Sequence, residues 1–173
     1  MNLILLGLLL LAILLIALVF FLPNVIYYTE KIVVAAPAEQ VYDNIRSQTD
    51  LMKWSAWPEE TGSTCEVENT DGEVGARTVF FNKGKRFGHQ EIIALEPNKK
   101  VSMTLVDSGP LKHTPYLDFH LRSLSDTETE VTLDFTNTYQ RPFQVPAKLF
   151  GVVKWVRSLQ VKDLEGLKAY SES

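Results

Sequence analysis

The apolar positions along this chain fall into three regimes: unbroken, helical and alternating. From Leu3 to Leu22 the run LILLGLLLLAILLIALVFFL holds twenty residues without a charge or a hydrogen-bonding side chain. Twenty residues at ~1.5 Å rise match the ~30 Å hydrocarbon core of a bilayer. A removed signal peptide has a shorter apolar region, ~7–15 residues, and a small-residue cleavage site. Here no Lys or Arg precedes the run, and it exits through FFLPNVIYY with no small pair. The block reads as an uncleaved membrane anchor over residues 1–23, with Pro23 stopping the helix. Lys31 is the nearest basic residue behind it, so the positive-inside rule selects no orientation.

Residues 24–173 have the length of one domain with one core. NVIYYTEKIVVAAP is rich in β-branched and aromatic residues and predicts a strand over Val25–Ala35, after which Pro37 opens a helix. In PAEQVYDNIRS, Val41, Tyr42 and Ile45 recur at helical spacing while Glu39, Asp43 and Arg46 take the other side. A second short helical turn is expected over Asp50–Lys53. The period then changes to two. TCEVEN, ARTVFFN, RFGHQEIIALE, KVSMTLVD, YLDFHLRSL and TEVTLDFTNTY read as six strands, separated by NTDGEVG, NKG, EPN and LSDTE. Links this short favour antiparallel neighbours, because a parallel pair needs a crossover of about a dozen residues. The chain closes with a long helix whose apolar stripe runs through Leu149, Val152, Val153, Val156, Leu159, Leu164 and Leu167. Such a stripe must be buried on something, and a twisted antiparallel sheet supplies the partner. The expected class is α+β, a curved sheet of about seven strands around a long C-terminal helix.

Charge and chemistry narrow the function. A net charge of -4 argues against nucleic acid, whose binders present a basic surface. Cys65 is the single cysteine, which rules out an intramolecular disulfide and a cysteine-based zinc site; between Thr64 and Glu66 it reads as a small hydrophobe. No nucleophile elbow, phosphate loop or HExxH spacing is present, so no cofactor or metal is expected. NKGKRFG is a basic hairpin turn, with Lys83, Lys85 and Arg86 reading as a solvated surface.

The order strand, two short helices, six strands, long helix resembles the helix-grip fold of the START/Bet v 1-like (SRPBCC) superfamily. IVVAAPAEQVYDNI is similar to its opening strand and proline-started helix, MKWSAW to its tryptophan-bearing segment, and VGA and IIALEPNKKVSMTL to its central hairpins. VKDLEGLKAY is similar to the end of its grip helix. The resemblance spans about Val25 to Ser171 and is strongest to the polyketide cyclase/dehydrase-like group of bacterial proteins, some of which carry an N-terminal membrane helix. It implies a cavity between the sheet and the long helix for a hydrophobic small molecule or lipid, on a single-pass protein of the bacterial inner membrane. It does not imply one reaction, since one fold hosts many functions.

Alternation sorts the residues that would face such a cavity. Val101, Met103 and Leu105, then Leu117, Phe119 and Leu121, then Val131, Leu133 and Phe135 are the inward sets of three strands, and Asp118 and His120 point outward. Asn137, Tyr139 and His113 continue inward parities. In RFGHQEIIALE, Phe87, Ile93 and Leu95 share a face with His89 and Glu91, which predicts two ionisable groups looking inward. The expected ligand contacts are therefore Trp54, Trp57, Phe81, His89, Glu91, Met103, His113, Phe119, Phe135, Asn137, Val153 and Val156. An enzymatic version makes His89 a general acid or base, with Glu91 orienting it or Tyr139 donating to an oxyanion. The competing version has a bulge beside Gly88 that turns His89 outward and leaves Glu91 to pair with Arg77 or Lys83. Of Trp54 and Trp57, one is expected to seal the core and the other to touch ligand. A third class, a co-chaperone-like protein-interaction module, requires a filled interior and a large exposed apolar patch.

Overall fold

Strands form where branched and aromatic residues recur at every second position, and they join one antiparallel sheet. The computed structural model describes residues 2–173. Helix α1 (Leu3–Phe21) leads into β1 (Val25–Val34), followed by α2 (Ala38–Arg46), α3 (Gln48–Trp54) and α4 (Trp57–Thr61). Strands β2 (Thr64–Glu68), β3 (Arg77–Asn82), β4 (Lys85–Glu96), β5 (Lys100–Asp107), β6 (His113–Ser125) and β7 (Glu128–Tyr139) form a meander. It closes on β1 in the order β1-β7-β6-β5-β4-β3-β2. Helices α5 (Gln144–Leu149) and α6 (Val152–Ser171) complete the chain.

The C-terminal helical segment is broken where the sequence suggests continuity. Gly151 takes the left-handed conformation (φ 72°), which ends α5 and lets α6 start in a new direction. The tryptophan segment is likewise two helices. Ser47 caps α3, its Oγ accepting from Asp50 N at 3.1 Å, and Ser55 and Ala56 separate α3 from α4, which has Pro58 in its first turn, where a missing N–H costs nothing.

The sheet, α2, α3 and the second half of α6 enclose the core. Val41, Ile45, Leu51 and Trp54 pack from the helices onto Ile92, Val101, Phe119, Val131 and Leu133 of the sheet, with Leu164 and Leu167 from α6. Each such side chain contributes ~1.5–3 kcal/mol by leaving water. Helix α6 lies so close on α3 that a Cβ at Gly166 would overlap the Trp54 carbonyl oxygen.

Strand β4 departs from the alternation read in the sequence. Two bulges interrupt it: Phe87 has no partner between the pairs Phe80↔Gly88 and Phe81↔Arg86, and Ile93 has none between Ile92↔Met103 and Ala94↔Ser102. Each extra residue shifts the face of those beyond it. Between the bulges Gly88, Gln90 and Ile92 are the buried set, and His89 and Glu91 lie on the outer face. The expectation that His89 and Glu91 look inward is thereby corrected.

Candidate ligand-binding site

A cavity of about 230 Å³ lies between the sheet and the first half of α6. Its walls are mainly Leu105, Leu117 and Phe135 from the sheet and Val152, Val156 and Leu159 from the helix. Trp57 and Trp155 stand against each other with ring centroids 5.6 Å apart, and Trp57 also meets Phe80 at 6.0 Å. Opposite them the β5–β6 linker contributes Gly109, Pro110 and Leu111.

Polar side chains gather where β5, β6 and β7 end. His113 Nε2 lies 2.8 Å from Asp107 Oδ2, and since a carboxylate can only accept, the imidazole donates there. Its other nitrogen, Nδ1, lies 3.1 Å from Asn137 Nδ2 and 3.3 Å from Asn137 Oδ1, so the amide meets that side of the ring. Asp107 also accepts from Gly109 N at 2.7 Å, which ties the linker to the network. The hydrogen bond from His113 holds the Asp107 carboxyl below its ordinary range. Tyr139 stacks on His113 at 5.3 Å, and burial raises its pKa, so the phenol remains a hydrogen-bond donor.

The opposite wall carries a second carboxyl. Asp163 Oδ1 accepts from Ser55 Oγ at 2.9 Å and from Ala56 N at 2.7 Å, which fixes the turn between α3 and α4 and hence the position of Trp57. Burial pushes Asp163 up to about 6, against the lowering effect of those two bonds. Trp57 Nε1 and Gln160 Oε1, from two further cavity residues, are buried without a hydrogen-bond partner among the described residues. Chemically the site offers an apolar chamber, a locked Asp107–His113–Asn137 network, and Tyr139 and Asp163 as groups with protons to share.

Six residues anticipated from the sequence come together here: Trp57, His113, Phe135, Asn137, Tyr139 and Val156. The others lie elsewhere. Trp54 seals the core, 5% exposed, donating from Nε1 to Asn44 O at 3.0 Å. Met103 and Phe119 are core residues under α2 and α3. Phe81 follows the β3–β4 irregularity, and its neighbour Phe80 is the ring that meets Trp57. Val153 sits one position off the α6 face formed by Val152, Val156, Leu159 and Asp163. His89 has Arg86 and Glu91 about its ring, with Nε2 3.5 Å from Glu91 Oε2, and Glu91 bonds Arg77 at 2.8 Å. Burial, then Arg77 and Arg86, lower the His89 pKa. Asp107, Trp155, Gln160 and Asp163 were not anticipated. Asp163 had a signal: it falls four residues after Leu159 and four before Leu167, an acid inside an apolar stripe.

A seven-stranded antiparallel sheet gripping one long helix around an apolar cavity is the START/Bet v 1-like arrangement. The chain belongs to the polyketide cyclase / dehydrase and lipid transport family, whose model matches residues 26–172. A comparison with curated proteins finds no match. Among solved structures, a hypothetical protein, jhp0584, from Helicobacter pylori is similar with a TM-score of 0.63 at 14% identity, over 90% of this chain and 92% of that one. Norcoclaurine synthase from Thalictrum flavum, solved in complex with dopamine and hydroxybenzaldehyde, gives 0.61 at 13% identity over 84% of this chain and 85% of that one. Ara h 8.0201 gives 0.59 at 14% identity over 85% and 97%. At these identities the likeness speaks for the fold.

Proposed function

We propose that this chain is a membrane-anchored binding protein that holds one apolar small molecule or one lipid chain between the sheet and α6. The observation that carries the reading is the lining of the cavity: apolar walls over most of its surface, with convergent polar groups at its rim and along one wall, the pattern of a small-molecule site. About 230 Å³ lies just under the ~300–1,000 Å³ of typical ligand pockets, which suits one ring system or one chain rather than a whole two-chain lipid. Leaving a buried donor or acceptor unmet costs ~1–3 kcal/mol. A ligand hydroxyl, which both accepts and donates, matches Trp57 Nε1 and Gln160 Oε1. The family's description includes lipid transport, and norcoclaurine synthase on the same fold was solved with two small aromatic compounds.

Helix α1, nineteen residues long with a mean hydropathy of 3.4 and none of them buried, supports the anchor: a single pass through the bacterial inner membrane. Retention beside a bilayer keeps the domain where apolar ligands concentrate. The co-chaperone-like alternative loses its premise of a filled interior. Catalysis of the cyclase/dehydratase kind is favoured by one observation, a cavity carboxyl held at about 6, near the working range of a general acid or base. That reading rests on Asp163 and Tyr139 instead of His89 and Glu91.

Photo-crosslinking tests the binding reading. The full chain, in membranes, is irradiated with a diazirine-bearing alkyl alcohol and its peptides are mapped. Labels are expected between 105 and 117 and between 152 and 163. Labels confined to α1, or spread over the outer face of β4, would overturn it.

A further inference from the structure

The register of the sheet brings the chain's anchor and the cavity to the same end of the molecule. β1 begins directly after α1, and its first residue pairs with the end of β7, Val25↔Thr138. The start of β6 meets that same end, His113↔Tyr139, and His113 and Tyr139 are cavity residues. Helix α5 follows there, and the end of α1 is fastened to it. Arg141 donates to the carbonyl oxygens of Val19 and Phe20, and Gln144 Nε2 to Val19 O at 2.8 Å, so a cation and an amide meet the negative end of the α1 dipole. Gln144 is fully buried, which makes this a built joint.

Beside the joint the α5–α6 corner presents apolar side chains to solvent. Leu149 is 64% exposed and Phe150 82%; on α1, Phe20 is 70% exposed and Phe21 86%. One turn further, Trp155, 43% exposed, is already part of the cavity rim. The charge of this corner is one-signed: between Asp134 and Asp163 the chain has no acidic residue and five basic ones, Arg141, Lys148, Lys154, Arg157 and Lys162, in a protein of net charge -4. Arg157 and Lys162 are paired with Glu30 and Glu60, leaving Lys148 and Lys154 on either side of the Leu149–Phe150 tip.

We propose that the α5–α6 corner is a membrane-docking wedge. Leu149 and Phe150 insert at the level where α1 leaves the bilayer, Lys148 and Lys154 meet anionic headgroups, and the cavity mouth between Trp155 and Pro110 faces the lipid surface. An apolar ligand then passes between bilayer and cavity without crossing water. The occupant is a lipid surface because the apolar tip closes α5, the helix that holds the end of the wholly apolar α1, and the flanking charge is positive, the combination that holds interfacial segments. The inference rests on the anchor reading of α1.

Depth-dependent quenching of the full chain separates the two. In a Cys65→Ser background, Phe150→Cys carries a fluorophore, and Asp126→Cys in the β6–β7 turn at the far end of the sheet serves as reference. Both are reconstituted in phosphatidylcholine/phosphatidylglycerol vesicles with doxyl-labelled acyl chains, and alkaline carbonate extraction is run on the same samples. The expected result is a carbonate-resistant chain whose position 150 is quenched several-fold more than position 126, with quenching at 150 reduced when Lys148 and Lys154 are both replaced by Glu. A carbonate-resistant chain with equal, weak quenching at both positions overturns the wedge while leaving the anchor standing. Extraction by carbonate overturns the anchor and the wedge together.

Discussion

The two ends of the grip use one sheet face and one helix, yet one end is filled and the other is open. Under α2 and α3, Ile45, Leu51 and Trp54 drop onto Phe119, Leu133 and Met103, and α6 closes with Leu164 and Leu167. Under the first half of α6 the covering elements are α4 and the α3–α4 turn, which supply Trp57 and Ser55. Leu117, Phe135, Val156 and Leu159 face one another there across about 230 Å³. The difference lies in what covers the sheet and in its inward residues: Val101, Phe119 and Leu133 at the filled end, but Asp107, His113 and Asn137 where the same three strands reach the cavity. The filled end carries the stability that lets the other end keep a chamber and a buried carboxyl.

That contrast breaks first under truncation. Phe119→Ala at the filled end is expected to cost ~3–5 kcal/mol, because lost burial adds to a new void. Phe135→Ala, whose ring already borders the cavity, should cost less, ~2–3 kcal/mol. Equal losses in chemical denaturation would erase the distinction between the ends. At the contact of α6 with α3, Gly166→Ala gains about 1 kcal/mol of helix propensity but meets the Trp54 carbonyl, at the upper end of the ~1–3 kcal/mol that overpacking costs, so a net loss of ~2 kcal/mol is expected.

Asp163 makes the stability of the open end depend on pH. A carboxyl raised from 3.8 to about 6 in the folded state favours folding in its protonated form. Its contribution is fully present below the unfolded value and is lost as pH rises through 6. At ~1.4 kcal/mol per pH unit this amounts to ~3 kcal/mol by neutral pH. Asp163→Asn should therefore be more stable than wild type at pH 7–8, by up to ~3 kcal/mol, and should flatten the stability profile between pH 4 and 7. Thermal melts across that range decide it, and an unchanged slope would contradict the burial of the charge. The smallest effect is expected outside the grip: His89→Ala, half-buried on the outer face of β4, should shift stability by ~1 kcal/mol or less and leave ligand retention untouched.

Much of this architecture was legible because each element carries its own period. The unbroken run gave α1, spacing of three and four gave α2 and α6, and alternation gave the strands and the inward parity of His113, Phe135, Asn137 and Tyr139. What misled was β4, where apolar residues stand on both parities, Phe87, Ile93 and Leu95 against Ile92. Alternation cannot then reveal a bulge, and two bulges reverse His89 and Glu91. The break at Gly151 was hidden by an apolar stripe that runs on through Leu149 into α6. Asp107 and Asp163 escaped notice because each ends or interrupts an apolar pattern, where an acid reads as solvent-facing until the tertiary contact is known.

An open end that holds one apolar ligand should carry that ligand with the chain when it leaves the membrane. Native mass spectrometry of the intact chain released from nanodiscs tests it most directly, comparing wild type with Val156→Trp, whose indole would fill the chamber from the α6 wall. One discrete bound mass is expected on the wild type and on His89→Ala, and none on Val156→Trp. A wild type with no bound mass, or the same mass retained by Val156→Trp, would contradict it.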